Sequence, residues 1–337
     1  TTLALAAAGG ISFLSTCPAA AAEGACPKTL PGGWVYAWGD EFDGDQLDLT
    51  KWKHELGPVR NAGASHSYVP EAVTVENGML VITSDAKPTR NPAYVEGSTA
   101  WPKSMKEQPY MSGSITTLGI KHFSMPGRLE FRAKVPKAKG VWPAIWTMHK
   151  NKYGWPANGE IDILEHISND PDAVYSLFRW GENGGNQEHK VIRRTVIPDY
   201  SKEFHTYTLQ WDEESMFIEI DGKEIGRVKI SEADYPEGDN PLKTPCYLII
   251  NTAIGGNIGG RQTWPECPDA SQYPARFELD YVRYYTKGDP KAVDALGMPV
   301  AKSDDEATKE TAKKGSKKGG KKGGKKGSKK GSKKGTK

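Results

Sequence analysis

The stretch that decides the fold is Trp155-Pro156-Ala157-Asn158-Gly159-Glu160-Ile161-Asp162-Ile163-Leu164-Glu165-His166, in which three acids interrupt an apolar run. Side chains alternate between the two faces of a regular β-strand, so Glu160 and Asp162 share one face, and the isoleucine after each points into the core. Glu165 has the opposite parity and would be buried without a partner, which costs free energy. A β-bulge near residues 163–164 returns Glu165 to the acidic face. We therefore predict a kinked strand with three carboxylates on one surface.

Three neighbouring carboxylates repel one another, so the pattern is a poor stability motif. Such clusters push pKa values apart, and a glutamate with a raised pKa holds a proton near neutral pH. Hydrolysis of a glycosidic bond needs one ionised carboxylate to attack and one protonated carboxyl group to donate. Strand rise separates the Cα atoms of Glu160 and Glu165 by roughly 13 Å, whereas retaining enzymes hold the two carboxyl groups about 5–5.5 Å apart. The two side chains must therefore lean together over a concave sheet.

A solvated acidic strand edge and a calcium-binding cluster are the alternatives for these acids, since carboxylate oxygens suit that ion. Nearby tryptophans weaken both alternatives: Trp155 precedes the first glutamate, and Trp142 and Trp146 share one face of a neighbouring strand. Indole rings stack on the C–H faces of sugars, so these side chains are candidate platforms. The other tryptophans divide into further candidate platforms (Trp101, Trp180 and Trp264) and core or surface structure (Trp34, Trp38, Trp52 and Trp211).

Outside this stretch the sequence is typical of short strands joined by turns. The dipeptides Asn77-Gly78 and Asp221-Gly222 each separate two strand-like runs, which is a strong hairpin signal. Residues 128–135 alternate with period two, as a half-buried strand does. No window has a long apolar period of 3.6 residues, and no internal repeat is visible. We predict an all-β sandwich of jelly-roll type over residues 34–286.

The two ends of the chain differ in composition from this region. Residues 3–14 are apolar and residues 20–22 are alanines, so residues 1–22 resemble a signal peptide and 23–33 a linker. We therefore expect a secreted protein, extracellular or periplasmic, with lipidation at Cys17 as the rival hypothesis. Cys246 and Cys267 could pair in an oxidising compartment, and unpaired thiols are the equal alternative.

The basic charge of the chain is concentrated at its C-terminal end. The formal charge is +3, but residues 311–337 hold 13 lysines and no acid, which leaves −10 for residues 1–310. An acidic body argues against nucleic acid as the main partner. Residues 287–337 are expected to form a linker and a disordered tail. Two hypotheses for the tail stay open: salt-sensitive attraction to anionic surface polymers, or a solvated extension without a partner.

Taken together, the motifs resemble glycoside hydrolase family 16, and most closely its laminarinase-like endo-1,3-β-glucanases. The resemblance covers about residues 34–286 and includes the full pattern E-x-D-x-x-E at Glu160, Asp162 and Glu165. Six weaker motifs occur in the family's order, at residues 40–44, 110–117, 140–146, 205–211, 249–257 and 280–283.

The resemblance implies two curved antiparallel sheets with a substrate cleft on the concave face, and a retaining mechanism through a covalent glycosyl-enzyme. It implies Glu160 as the nucleophile, Glu165 as the general acid/base, and Asp162 as the assisting acid between them. The expected substrate is a β-1,3 or mixed β-1,3/1,4 glucan, cleaved internally by a monomer without a catalytic cofactor. The expected cleft residues are Trp142, Trp146, Trp155, Arg179, Asn251 and Trp264.

Some members of the family bind a structural calcium ion, and the matching candidates are Glu41, the carbonyl of Gly78 and Asp280. One departure concerns Arg179, because many laminarinase-like members have a histidine there. Arginine pairs with sulfate or carboxylate, so a sulfated algal galactan is an alternative substrate. A non-catalytic β-glucan-binding protein is a further alternative, weakened by the presence of both glutamates. The insertion at residues 87–107 is expected to shape one end of the cleft.

Overall fold

The computed structural model describes residues 26–60, 63–255 and 268–287, and the described chain is nearly all β-structure. Its strands are β1 Thr29–Leu30, β2 Trp34–Asp40, β3 Lys53–His54, β4 His66–Tyr68, β5 Val73–Glu76, β6 Met79–Ser84, β7 Thr89–Arg90, β8 Glu107–Gln108, β9 Tyr110–Ser112, β10 Ser114–Thr116, β11 Gly127–Lys134, β12 Val141–His149, β13 Glu160–His166, β14 Ala173–Gly181, β15 Glu188–Val196, β16 His205–Trp211, β17 Ser215–Ile220, β18 Lys223–Lys229, β19 Cys246–Ile254 and β20 Ala275–Thr286. The single α-helix among the described residues, α1, is Trp101–Ser104, and short 3-10 helices cover Pro70–Ala72, Glu182–Gly184, Ile230–Ala233, Pro241–Lys243 and Ala270–Gln272.

Two large antiparallel sheets form the sandwich, which confirms the predicted all-β fold. The nine-stranded sheet runs β1-β2-β20-β11-β16-β17-β18, with β6 paired to β20 and β5 paired to β6. The seven-stranded sheet runs β15-β14-β13-β12-β19-β10-β3. Two small ribbons join β4 to β9 in parallel and β7 to β8 in antiparallel orientation.

The core lies between the two large sheets because their strands alternate apolar and polar residues. In β11 every second side chain is buried, and Phe131 joins a core cluster with Ile145, Ile161 and Phe178 of the seven-stranded sheet. Residues directly opposite each other in an antiparallel pair project from the same face. The intervening residues of β12, β13 and β14 therefore project from the face of the seven-stranded sheet that points away from the core.

Both predicted hairpins are confirmed. Glu76 pairs with Met79 across the Asn77-Gly78 turn, and Ile220 pairs with Lys223 across Asp221-Gly222. The residues of each turn have positive φ angles, 55° and 73° in the first and 51° and 74° in the second. Asparagine, aspartate and glycine tolerate this left-handed backbone better than other residues, which explains why the sequence signal was reliable.

The sequence interpretation was wrong at two places. Residues 29–30, assigned to a linker, form β1, which pairs with β2. A strand of two residues has no alternation pattern to detect. Trp180, proposed as a sugar platform, is only 2% exposed and belongs to the core. It follows Arg179 in β14, so strand parity places the indole on the opposite face.

Several expectations concern residues outside the described ranges. These include the signal-like segment 1–22, Cys17, Cys267, and nearly all of the linker and tail at 287–337. Cys246 is described, and its thiol is buried against the carbonyl oxygen of Phe123; its pairing with Cys267 stays a prediction. Within residues 26–60, 63–255 and 268–287, no helix combines the length and apolar character needed to cross a membrane.

Candidate active site

Strand β13 contains the predicted β-bulge. Asp162 pairs with Trp146 of β12, and Leu164 pairs with Ile145, so Ile163 has no partner in β12. The pairing with β14 is interrupted over the same residues. The bulge therefore allows the apolar residues of β13 to remain in the core while Glu165 lies on the same face as Glu160 and Asp162.

The three acids lie close enough to influence one another. Asp162 forms a side-chain hydrogen bond with Glu160, and charge repulsion acts on Asp162 from both glutamates. Glu160 and Asp162 are 7% and 4% exposed, whereas Glu165 is half-buried. The side chains therefore converge on one surface, as the sequence predicts.

Burial is the main cause of the raised pKa values in this cluster. It raises the pKa of Glu165 to about 7, with a further contribution from the charge of Glu160. Burial and both glutamates raise the pKa of Asp162 well above its ordinary range. Burial also raises the pKa of Glu160, but the guanidinium of Arg179 and the indole N–H of Trp155 oppose that rise. The cluster can thus hold one glutamate protonated near neutral pH while another is stabilised as an anion.

Both oxygens of Glu160 accept hydrogen bonds from the surrounding strands and loops. Arg179 donates from Nη1 to Oε1 at 2.8 Å, and Trp155 donates from Nε1 to Oε2 at 2.9 Å. The nearest strand partner of Glu160 in β14 is Arg179 itself. The orientation of the Glu160 carboxylate is therefore fixed at both oxygens.

Other predicted cleft residues surround the acids. Trp142 donates from Nε1 to Glu165 Oε1 at 2.9 Å. Trp146 donates from Nε1 to Asn251 Oδ1 at 2.8 Å, and Asn251 donates in turn to the hydroxyl of Tyr68 at 3.0 Å. The structure thus brings Trp142, Trp146, Trp155, Arg179 and Asn251 together around the acidic cluster, whereas Trp264 lies outside the described residues.

The tryptophans of the site differ in exposure. Trp155 is 52% exposed, so its ring is available for stacking on a sugar. Trp146 is 9% exposed, and the guanidinium of Arg60 lies 5.1 Å from its ring centroid. Among the described tryptophans of the site, Trp155 is therefore the more open platform.

Sequence reasoning missed two charged residues of the site, Arg60 and Glu188. Arg60 lies in a loop with φ 71° and pairs with Glu55 through two hydrogen bonds of 2.5 Å. Glu188 begins the edge strand β15 and lies 3.0 Å from Arg179. No motif spacing reveals Arg60. Glu188 becomes detectable only when β14 and β15 are aligned as a hairpin, because Gly181 then pairs with Glu188.

The calcium candidates lie near one another but are paired with arginines. Asp40 pairs with Val282 and Leu80 pairs with Leu279, so the ends of β2 and β6 meet β20 at neighbouring positions. However, Arg283 binds the carboxylate of Glu41 at 2.6 and 2.8 Å, and Arg132 binds Asp280 at 2.6 Å. Among the residues that the structure describes, no three His, Cys, Asp or Glu side chains converge as a metal site requires. These carboxylates are thus already compensated by arginine, and calcium binding stays a prediction.

Comparison with known proteins agrees with this geometry. The family model described as glycosyl hydrolases family 16 matches residues 63–282. The chain is 34% identical to the glucan endo-1,3-beta-glucosidase A1 of Niallia circulans over 75% of its own length, and spans 38% of that protein. It is 32% identical to a beta-glucanase of Rhodothermus marinus, with 75% of this chain and 85% of that protein covered.

A solved structure shares the fold over a similar range. It is one of those described for endo-acting O-glycanases that human gut bacteria express to initiate mucin breakdown. That structure has a TM-score of 0.74 and 44% sequence identity, and the match covers 81% of this chain and 100% of the other. The jelly-roll sandwich, the matched family model and these relatives lead to one conclusion: the chain belongs to glycosyl hydrolases family 16 and is a glycosidase that hydrolyses O-glycosyl bonds.

Proposed function

We propose that the protein is a secreted, retaining endo-glycosidase that cleaves β-1,3 or mixed β-1,3/1,4 glucan, such as laminarin. The observation that carries this proposal is the pair of unlike glutamates on one face of β13. Glu160 is held by a cation, while the pKa of Glu165 is raised to about 7. The relatives named for endo-1,3-β-glucosidase and β-glucanase activity support the choice of substrate.

In the proposed first step, Glu160 attacks the anomeric carbon and Glu165 donates its proton to the departing glycosidic oxygen. The product is a covalent glycosyl-enzyme with the configuration inverted at that carbon. In the second step, Glu165 accepts a proton from water, which displaces Glu160 and restores the original configuration. Asp162 assists by its hydrogen bond to Glu160. These steps use no cofactor.

The substrate is positioned by the aromatic residues around the acids. The exposed ring of Trp155 offers a stacking surface beside Glu160, and Trp142 holds Glu165 through its indole N–H. The amide of Asn251 is held between Trp146 and Tyr68, so its orientation is fixed before substrate arrives. Preorganised groups of this kind reduce the entropy cost of binding a sugar chain.

Release of reducing sugar from laminarin and barley β-glucan tests the proposal, with chromatography of early products to establish internal cleavage. The anomeric configuration of the first product, followed by NMR, tests retention. We expect Glu160→Ala and Glu165→Ala to lose at least about 10²-fold in turnover with unchanged circular dichroism. Near-normal activity in either variant would refute the assignment of that residue.

A second candidate substrate is a galactose-containing or sulfated glycan. One observation favours it: the chain is 44% identical to the structure described with mucin O-glycanases, and the match covers 100% of that structure. The same assay with agarose, carrageenan, keratan sulfate and mucin glycans decides between the candidates. If the protein cleaves only these glycans and neither laminarin nor barley β-glucan, the proposed glucan substrate is wrong and this second candidate takes its place. No release from any polysaccharide, combined with binding to laminarin, would indicate the non-catalytic alternative.

We also propose that the protein is exported. The apolar segment 3–14 followed by alanines at 20–22 supports this location. Fractionation of cells expressing the chain with and without residues 1–22 tests it. Export only in the presence of that segment is expected, and a Cys17→Ser variant that leaves membrane-bound protein unchanged would exclude lipidation.

A further inference from the structure

Arg179 is held on three sides by residues of the site. Its Nη1 donates to Glu160 Oε1 at 2.8 Å, and its Nε lies 3.0 Å from Glu188 Oε1, although that N–H is not aimed at the oxygen. The guanidinium carbon lies 5.3 Å from the ring centroid of Trp155. With 17% of its side chain exposed, Arg179 is engaged by the protein more than by solvent.

Strand pairing places these groups in one row across the sheet. Glu160 of β13 is directly opposite Arg179 of β14, and Arg179 is opposite Lys190 of β15. Glu188 precedes Lys190 by two residues on the same face of β15, and the two form an ion pair at 3.0 Å. Arg179 therefore lies between a buried carboxylate and an edge-strand carboxylate, and Glu188 in turn contacts two cations.

In this arrangement the positive charge of Arg179 is neutralised by carboxylates of the protein and not by a ligand. A guanidinium that recognises sulfate presents its N–H groups to the ligand, whereas the Nη1 and Nε of Arg179 lie against two carboxylates. Because Trp155 donates to the other oxygen of Glu160, the carboxylate has one orientation in which both contacts form. Removing Arg179 would leave the buried Glu160 without its ion-pair partner, held only by the indole N–H of Trp155 and the hydrogen bond with Asp162.

We propose that Glu188, Arg179 and Glu160 form an ion-pair chain in which Glu188 holds Arg179, and Arg179 orients the nucleophile and maintains its negative charge. Arg179 and Glu188 are then positioning residues of the reaction, and Arg179 is not a receptor for sulfate. This inference rests on the proposed role of Glu160.

Several charged or titratable groups act on Glu160 from the elements packed around it: Asp162 and Glu165 on β13, Arg179 on β14, Glu188 on β15, Arg60 in the loop after β3, and Tyr247 on β19. Arg179 and Glu188 have opposite effects, because the cation lowers the pKa of Glu160 and the carboxylate raises it. Their removal must therefore move the titration of Glu160 in opposite directions. A general loss of folded structure would not move the pKa of Glu160 in opposite directions in the two variants.

The test compares Arg179→Met, Arg179→Lys and Glu188→Gln with two controls outside the site, Arg128→Met and Glu219→Gln. Arg128 is a matched control, because its side chain is also 17% exposed and pairs with Glu219 at 3.1 Å. The readouts are kcat, KM and the pH dependence of kcat/KM on the polysaccharide that the wild type cleaves fastest. A ¹³C NMR titration of Glu160, assigned with Glu160→Gln, measures its pKa without any substrate.

For Arg179→Met we expect kcat to fall about 100-fold with little change in KM. We also expect the acidic limb of the profile, and the NMR titration, to move about one unit to higher pH. Arg179→Lys keeps the charge but not the orientation, so the limb stays near the wild-type position while kcat remains reduced. Glu188→Gln lowers kcat by less than about tenfold and moves the limb to lower pH. The two controls leave kcat and the limb unchanged.

The inference is overturned if Arg179→Met and Glu188→Gln move the titration of Glu160 in the same direction, or if either leaves it unmoved. If Arg179→Met does not fold, the test rests on Arg179→Lys, which must lower kcat with the limb in place, and on Glu188→Gln, which must move the limb to lower pH; failure of either overturns the inference. Azide rescue of Glu160→Ala reports separately on the proposed function. Failed rescue with the predicted NMR shifts would refute the nucleophile, whereas rescue without those shifts would refute the ion-pair chain alone.

Discussion

At the scale of single residues, the acidic cluster lowers the stability of the fold but provides the carboxyl groups that the proposed reaction needs. Three carboxyl groups lie on one face of β13, two of them buried, and their mutual repulsion is only partly offset by Arg179. Glu165 shows the consequence most clearly, since its pKa is raised from 4.5 to about 7. A glutamate in this state is suited to donate a proton near neutral pH. When that proton is lost, the buried charge lowers the free energy of unfolding of the protein.

We predict that Glu165→Gln stabilises the protein at high pH. Because the folded state binds the proton of Glu165 more tightly than the unfolded state, the free energy of unfolding falls as pH rises from 4.5 through about 7. Glutamine does not titrate, so the variant should be more stable than the wild type by about 3 kcal/mol above pH 7. The difference should vanish below pH 4.5, where the carboxyl group is neutral in both states.

Urea unfolding between pH 4 and pH 8 measures this difference. Glu219→Gln is the control, because Glu219 lies outside the site and pairs with Arg128. Parallel stability curves for the wild type and Glu165→Gln would contradict the raised pKa. In the wild type, kcat should fall as pH rises through about 7, because the general acid loses its proton there.

The positions of the three acids could be predicted from the sequence, but the charges around them could not. Glu160, Asp162 and Glu165 are neighbours in one strand, and the cost of burying Glu165 alone requires a bulge. Arg60 and Glu188 reach the site from a loop and an edge strand. Their placement depends on register and on a left-handed backbone residue, neither of which leaves a local pattern.

At the scale of elements, strand alternation decides which side chains reach the site. It placed Ile161 and Ile163 in the core correctly, and it shows why Trp180 is not a platform. The hairpin turns were also predictable because their glycines are required by positive φ angles. The two-residue strand β1 was not predictable, since its pairing depends on β2 and not on its own sequence.

The bulge leads to a prediction about deletions in β13. Ile163 is the extra residue, so deleting it restores regular alternation and leaves Glu165 on the face of Asp162. We expect this variant to fold and retain measurable activity, while losing about 2–5 kcal/mol because a buried isoleucine is missing. Deleting Ile161 removes an equally buried isoleucine but places Glu160 and Asp162 on opposite faces.

Activity and urea unfolding of the two deletions form a matched comparison. Similar losses of stability are expected in both, with activity surviving only without Ile163. Equal inactivity of two folded deletion variants would mean that the bulge sets the catalytic distance as well as the face. Activity without Ile161 would contradict the alternation of β13.

At the scale of the whole molecule, calcium would act on stability at a distance from the acids. If calcium displaces the arginine partners of Glu41 and Asp280, added calcium raises the melting temperature relative to a chelator, since a ligand that binds only the folded state stabilises it. Asp280→Asn should abolish that increase. Arg132→Met should preserve it, because this change removes the ion pair with Asp280 and none of the proposed oxygen donors. No difference between calcium and chelator would exclude the site.

The C-terminal tail is strongly basic, whereas the rest of the chain has a net negative charge. Because residues 311–337 hold 13 lysines and no acid, we expect the full chain to bind an anionic resin and to elute with salt. Deleting residues 303–337 should remove this retention without changing kcat on soluble substrate. Salt-sensitive retention on cell envelope only in the full chain would support a surface partner. Envelope binding that the deletion leaves unchanged would favour a solvated extension.

The stereochemistry of azide rescue tests most directly whether Glu160 attacks and Glu165 donates. Each alanine variant is incubated with azide and an activated aryl β-glycoside of the preferred oligosaccharide, and the product is assigned by NMR. We predict the inverted α-glycosyl azide from Glu160→Ala and the retained β-glycosyl azide from Glu165→Ala. The opposite pair of products would exchange the two roles, and the absence of rescue in both variants would contradict double displacement on this strand.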